Sequence, residues 1–309
     1  MGYKIFSRPK LNDPVMFACW PGLGNVGIMA LEHIRTQSGA RDLAEINPWE
    51  YFYPISMTVN KNVIEDMMFP TSRFYYNKFK NRDVIFFVAQ QQPVESNSAY
   101  AGGEIAYRIS NEVLDIASKF GCKRIYTSGA AITMTHHSLP AKVWGIANFD
   151  HLLPEVASIP NTSIMSQNPN VPNKMIISGL NGILLGSARE RNIEAICLLG
   201  ELPIYLQALM LPYPKAAKAV VDAFCASENI AVETASLELL ALSIDAKVEE
   251  LMNQFSRQLP PPLRKGIAEG IEKLKQPKGK PDLTKEKLQR AINEIEIFFK
   301  ERNDEEGKL

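Results

Sequence analysis

The chain has 309 residues, 46% of them hydrophobic, and its 34 basic and 34 acidic side chains cancel to a net charge of zero. That composition supports a sizeable core and excludes a disordered chain. A neutral chain also argues against nucleic acid as the main partner, because backbone phosphates are held by an excess of Lys and Arg.

The first organising stretch is Val15 to Arg35. The apolar run Val15–Trp20 predicts a buried strand, Pro21–Gly24 a turn, and the following residues a helix. Gly22, Gly24 and Gly27 spell G-x-G-x-x-G, the spacing of a dinucleotide turn. Physically, Gly22 and Gly24 permit positive φ, and Gly27, Ala30, Leu31 and Ile34 share one helical face whose small residues let the helix lie close on a sheet. The free N–H groups where the helix starts, around Asn25, form a candidate anion site. Glu45 stands near the place where a nicotinamide-binding fold has its ribose carboxylate. Against a nicotinamide-dependent oxidoreductase, Tyr51–Met57, Val63–Met68 and Arg73–Phe79 read as a β-meander or hairpin, where a second βα unit should sit.

Asp83–Ala89 is a near-continuous apolar strand of the kind covered on both faces. Gln90–Pro93 and Ser96–Ser98 end it. A helix is expected over Ala99–Lys119, with Ile105, Ile109, Val113, Ile116 and Phe120 in line and Gly121 as its stop. Lys123–Thr127, ending in Ser128–Gly129, and Lys142–Ala147 are further strands. Asp150 is placed to cap a short helix over His151–Ala157, and Asn161–Asn173 is a polar loop. A second glycine turn, Gly179, Asn181, Gly182 and Gly186, then leads a helix to Arg191, with Asn192 as a left-handed cap. Ile193–Leu199 is a strand, Gly200–Glu201 lie just beyond its carboxyl end, and Pro214 suits the first turn of a helix over Lys215–Ser227. Alternating buried strands and helices predict an α/β fold, a three-layer α/β/α domain over residues 1–235.

Residues 236–309 read as a helical C-terminal extension. Ser236–Phe255 aligns Leu237, Leu240, Ile244, Val248, Leu251 and Phe255, Pro260–Pro262 breaks the pattern, and Gln276–Pro281 is a linker. Thr284–Arg302 carries Leu288, Ile292, Ile295 and Phe299 at coiled-coil-like spacing, a candidate contact with another subunit or a partner.

The chemistry-bearing residues do not assemble into a catalytic constellation. No C-x-x-C links the four cysteines, and Cys19 and Cys197 read as small core residues. His136 and His137 fall in a loop without a carboxylate at ligand spacing, which points to an exposed polar loop rather than a metal site. His33 reads as a surface residue. Ser128–Gly129 lacks the G-x-S-x-G elbow. Glu201, at the edge where open α/β sheets bind ligands, is read as a ligand carboxylate or as a loop residue capping a nearby helix. No catalytic residue, metal or cofactor is assigned. The ligand-binding candidates are Gly22, Gly24, Asn25, Gly182, Gly200 and Glu201. Met1–Leu11 carries Lys4, Arg8 and Lys10 with no long apolar run after it, and Ile193–Leu211 is broken by Gly200, Glu201 and Pro203, so neither a leader nor a membrane span is expected and the location read is cytoplasmic.

Several blocks resemble the proteasome assembly chaperone family: W-P-G-L-G-N-V-G at Trp20–Gly27, R-F-Y-Y at Arg73–Tyr76, R-D-V-I-F-F at Arg82–Phe87, G-L-N-G-I-L-L-G at Gly179–Gly186, I-E-A-I-C-L-L-G-E at Ile193–Glu201 and Y-P-K-A-A-K-A-V at Tyr213–Val220. The resemblance spans about Phe17 to Val232. It implies a phosphorylase/hydrolase-like α/β/α domain, homo-oligomers in prokaryotic members and, for some, binding to unassembled proteasome subunits. Other members have been described as ATP-dependent carboligases. Members that dock on proteasomes often end in a hydrophobic residue, Tyr and any residue, whereas this sequence reads Gly307–Lys308–Leu309 there. Three classes of function stand: a chaperone-like interaction protein, a phosphate- or nucleotide-binding enzyme that uses the glycine turns, and the disfavoured nicotinamide oxidoreductase.

Overall fold

The computed structural model describes residues 2–94, 101–167, 177–209, 211–258 and 261–275. In chain order these form β1 (Tyr3–Ile5), β2 (Val15–Cys19), α1 (Val26–Gln37), β3 (Arg41–Ile46), β4 (Ser56–Asn60), β5 (Val63–Met68), β6 (Ser72–Lys78) and β7 (Asp83–Ala89). There follow α2 (Gly103–Lys119), β8 (Arg124–Thr133), β9 (Val143–Ala147), α3 (Leu153–Ser158), β10 (Thr162–Ile164), α4 (Leu180–Glu190), β11 (Glu194–Pro203), α5 (Pro214–Glu228), α6 (Ala235–Gln258) and α7 (Pro261–Lys273).

Among the described residues one large mixed sheet has the order β1–β3–β6–β7–β2–β8–β11–β9–β10. Its centre, β7–β2–β8–β11, is parallel, and antiparallel pairing adds β6, β3 and β1 on one side and β9 on the other. Every residue of β2 and β7 is buried, as continuous apolar strands require when both sheet faces are covered. Alternate side chains of β2 go to opposite faces. Phe17 and Cys19 join the core under α1 and α5, while Met16 and Ala18 join the core under α2 and α4. This is the three-layer α/β/α arrangement expected from the alternation of strands and helices.

Close packing rests on a few glycines. A Cβ at Gly27 would lie 2.5 Å from the backbone oxygen of Ser128, and one at Gly200 would lie 2.8 Å from that of Ala216. Helices α1 and α5 therefore sit against β8 and β11 at distances only a missing side chain allows.

The structure corrects several expectations. β8 does not end at Ser128–Gly129 but runs on to Thr133, and β11 runs through Gly200 and Glu201 to Pro203, each partnered residue by residue with the other. Glu201 is thus inside a strand, because ladder hydrogen bonds outweigh the breaking tendency of one glycine. Gly182 and Gly186 lie within α4, and the left-handed residue before it is Gly179, with φ +82°. Gly22 is extended, whereas Gly24 takes φ +61°. Asp150 caps nothing, since Phe149 holds the cap position of the short helical turn there. The predicted meander divides: β6 returns to the large sheet, while among the described residues β4 and β5 pair only with each other.

The apolar stripe read over Ser236–Phe255 packs largely on its own α/β domain. Leu237, Val248, Leu251 and Phe255 are buried in the same core as α5, and Lys215–Asp245 (2.6 Å) and Lys218–Glu238 (3.3 Å) tie the two helices together. Most of that stripe is thus covered within the chain, although Leu240 is 41% exposed. Leu288, Ile292, Ile295 and Phe299 lie outside the described residues.

Candidate functional site

The carboxyl edge of the parallel strands gathers most of the residues singled out from sequence. After Trp20 the chain turns through Gly24 and Asn25, both left-handed, into α1. A Cβ on Gly24 would lie 2.8 Å from Leu202 and 3.3 Å from Tyr213, and the Tyr213 N–H donates to the Gly24 oxygen at 2.8 Å. Gly200 packs 2.8 Å from Val26 by the same measure, so Gly24, Asn25 and Gly200 share one region under α1 and α5. Gly182 belongs to the α2/α4 face, where its Cβ position is 2.6 Å from Ile177. Gly22 is apart from both, with open space where a side chain would stand.

The start of α4 meets a polar staple from its own chain. Gln92 Oε1 accepts from the N–H groups of Leu180 (3.4 Å) and Ala101 (3.3 Å), and its Nε2 donates to the Pro21 oxygen at 2.7 Å. Asn181 Oδ1 accepts from the Trp20 N–H at 3.3 Å. One amide thus joins the loop after β2 to the starts of α2 and α4. It spends an acceptor on a donor that an anion at this helix start would otherwise use.

Glu201 is 6% exposed and fully engaged. Its carboxylate accepts from Thr133 Oγ1 (2.9 Å), Trp144 Nε1 (3.4 Å) and the Lys142 N–H (3.3 Å). Three donors compensate a buried carboxylate and brace β11 against β8 and β9.

The histidine pair is the largest departure from sequence expectation. His136 and His137 are each 3% exposed, with rings stacked 4.3 Å apart. The Tyr205 hydroxyl accepts from the His137 backbone N–H (2.8 Å) and lies 2.7 Å from its Nδ1, while Nε2 lies 2.8 Å from Glu249. A carboxylate only accepts, so Nε2 donates to Glu249, and in the neutral ring Nδ1 then accepts from Tyr205. Lys215 Nζ donates to the His137 oxygen. Burial, and His137 beside it, pull the His136 pKa down to about 4. Burial also pushes the Tyr205 pKa up, the opposite of an activated hydroxyl. This array clamps α6 to the loop after β8. Tyr205 and Glu249 stand 68 and 112 positions from His137 in sequence. Only the His-His dipeptide signalled it, and nothing local said that helices would cover it.

At the opposite, amino edge of the strands a cavity of about 240 Å³ opens between Asp13, Arg82, Lys123 and Glu194. Ion pairs occupy its walls: Arg124 with Glu194 (2.6 Å) and Glu155 (2.5 Å), and Arg82 with Asp13 (2.5 Å) and Glu228 (2.9 Å). All four cysteines are free, and burial pushes the Cys197 thiol up to about 12, so it is no nucleophile at neutral pH. Among the described residues no His, Cys, Asp and Glu group has the arrangement of a metal site, and no helix is long and apolar enough to cross a membrane.

One further surface stands out. Every residue of β4 and β5 is exposed although the pair is rich in Met, Val and Ile. Tyr53 before it is 91% exposed.

Comparison with known proteins places the chain. An uncharacterized protein of Methanocaldococcus jannaschii is 25% identical over 248 residues, covering 80% of this chain and 86% of that one. Among solved structures, Pyrococcus furiosus PbaB, described as an archaeal proteasome activator, aligns with a TM-score of 0.65 at 23% identity over 80% of this chain and 97% of its own. P. furiosus PbaA, described as an archaeal homolog of proteasome-assembly chaperone, gives 0.57 at 18% identity over 80% and 94%. A Mycobacterium tuberculosis proteasome-assembly chaperone homologue gives 0.59 at 18% over 76% and 94%. These identities establish a shared fold. The family model described as the PAC2 family matches residues 16–252, through the glycine turn, the large sheet from β2 to β11 and most of α6, and the chain therefore belongs to the PAC2 family.

Proposed function

We propose that the protein is a non-catalytic, chaperone-like assembly factor that works in the cytoplasm as a homo-oligomer and binds proteasome-like subunits before they assemble. The observation that carries this reading is PAC2 family membership across residues 16–252, together with fold neighbours described as a proteasome activator and as proteasome-assembly chaperone homologues. The carboxyl edge supports it. Gln92, Asn181 and Glu201 there spend their polar groups on the chain itself. In this reading residues 1–235 are the scaffold, and Leu288, Ile292, Ile295 and Phe299 in the 236–309 extension are contacts for a subunit or partner.

A phosphate- or nucleotide-binding enzyme built on Gly22, Gly24, Asn25, Gly182, Gly200 and Glu201 is the second reading. Open space at Gly22 favours it. The two part in one experiment. The full chain is mixed with separately purified proteasome α-type and β-type subunits and run on a sizing column. In parallel its melting temperature is followed against ATP, phosphate and NAD. Co-elution, weakened by Leu288→Asp with Ile295→Asp, supports the assembly reading. No co-elution, with dose-dependent stabilisation by ATP or phosphate, overturns it in favour of the second.

A further inference from the structure

We propose that His136 is the pin of a latch that holds helices α6 and α7 on the α/β domain, and that acid opens this latch while the sheet stays folded. The device needs no partner and stands independently of the assembly role proposed above.

Helices α6 and α7 form an outer layer of the described chain. α6 packs on α5, and α7 packs on α6. The strands of the central sheet precede them in sequence and have α1 and α5 over one face, α2 and α4 over the other. Lifting α6 and α7 therefore uncovers one side of α5 and leaves every strand pair in place. Elements attached in this way open at a lower free energy than the whole domain.

Both helices converge on the histidine pair. Glu249 of α6 lies 2.8 Å from His137 Nε2, and Asp245 of α6 pairs with Lys215 of α5, whose ammonium also reaches the His137 oxygen. Glu272 of α7 and Lys275 just past it face His136, and Leu274 between them is buried.

This cover suits only a neutral His136 ring. The Ser138 N–H donates to Nδ1 at 3.1 Å, and an N–H only donates, so Nδ1 is the bare nitrogen. A proton taken up there sets a ring N–H against the Ser138 N–H. It also places a full charge in a buried site, 4.3 Å from the stacked His137 ring. Among the groups that face the ring, Glu249 and Glu272 favour that charge, while His137 and Lys275 oppose it. Tyr205, Lys215 and Asp245 complete the cluster through His137. Burial outweighs the two carboxylates and holds the closed ring neutral down to about pH 4. With the helices lifted, the hydrated ring takes its proton near the ordinary value of about 6.5. Falling pH therefore favours the open form between about 6.5 and 4.

Hydrogen exchange with mass spectrometry on the full chain, corrected for the intrinsic pH dependence of exchange, reads the opening directly. Between pH 7 and pH 4.5 the protection of α6 and α7 amides should fall roughly fifty-fold, as a ring pKa near 4 closed and about 6.5 open requires. Amides of β2 and β7 should keep theirs. His136→Asn offers Ser138 an amide oxygen but takes no proton, and it retains Glu238, Asp245 and Glu249, so carboxylate titration is common to both proteins. This variant should keep α6 and α7 closed over the same range. Equal loss of protection in the sheet, no loss in α6 and α7 by pH 4.5, or the same loss in His136→Asn overturns the proposal. If His136→Asn is already open at pH 7, the ring signal of isotope-labelled wild type decides by magnetic resonance. A ring still neutral at pH 5, in a chain whose α6 and α7 open in acid, supports the latch. A ring that titrates near 6.5 while those helices stay protected overturns it.

Discussion

Strands β5 and β7 are built from similar material. V-I-E-D-M-M in β5 and D-V-I-F-F-V-A in β7 both read as apolar, β-prone runs, yet every residue of β5 is exposed and every residue of β7 is buried. The difference is membership. β7 lies between β2 and β6 with helices over both faces, whereas among the described residues β5 has only β4. An apolar strand states that something must cover it, and only the tertiary structure says whether the cover is the same chain.

The largest expected effect tests the buried side. Phe86 is fully buried in β7, and Phe86→Ala should cost roughly 3–5 kcal/mol in urea unfolding. A cost below about 1 kcal/mol would break the contrast from that side.

Gly24→Val and Gly182→Val come next. At Gly24 the left-handed backbone adds on the order of 1–2 kcal/mol of strain. At Gly182 a side chain drives into Ile177, an overpacking cost of roughly 1–3 kcal/mol. Both melting temperatures should fall clearly, and wild-type stability would show that these backbones have room to shift.

Acid sharpens the buried side further. With its folded pKa near 4, below the ordinary 6.5, His136 stays neutral where the unfolded chain takes up a proton. Its contribution is present near neutrality and is lost as pH falls from about 6.5 toward 4. His137, Glu249, Glu272 and Lys275 face it. Glu228 acts with opposite sign, because burial raises its carboxyl pKa and favours the protonated folded state as pH falls. The comparison with His136→Asn isolates the histidine: wild type should lose more melting temperature than the variant between pH 7 and pH 4.5. Parallel profiles would refute the assignment.

The smallest effect belongs to β5. In dilute solution Ile64→Ser should change stability by less than about 0.5 kcal/mol. A cost approaching that of Phe86→Ala at the lowest workable concentration would mean that the hairpin is buried within the single chain, and the contrast would dissolve.

Local pattern alone determined a good part of this protein. The bounds Asp83–Ala89 are those of β7, Val15–Trp20 covers β2, and the helical stripe at Gly27–Ile34 faces the sheet as its small residues predicted. These are periodicities of two and of 3.6, which a chain displays whatever surrounds it. The glycine turn was equally legible, down to the close approach of Gly27 to β8. Other features depended on partners far away in sequence. Glu201 became a strand residue because β8 and β9 offered it Thr133 and Trp144. The histidines became buried because Tyr205 and the α6 residue Glu249 closed on them. β1 and β3 escaped notice because short edge strands carry little pattern, and α7 because its prolines read as a break. Whether an apolar run is core or surface is settled by which other elements reach it, and that is a property of the assembled sheet rather than of any window of residues.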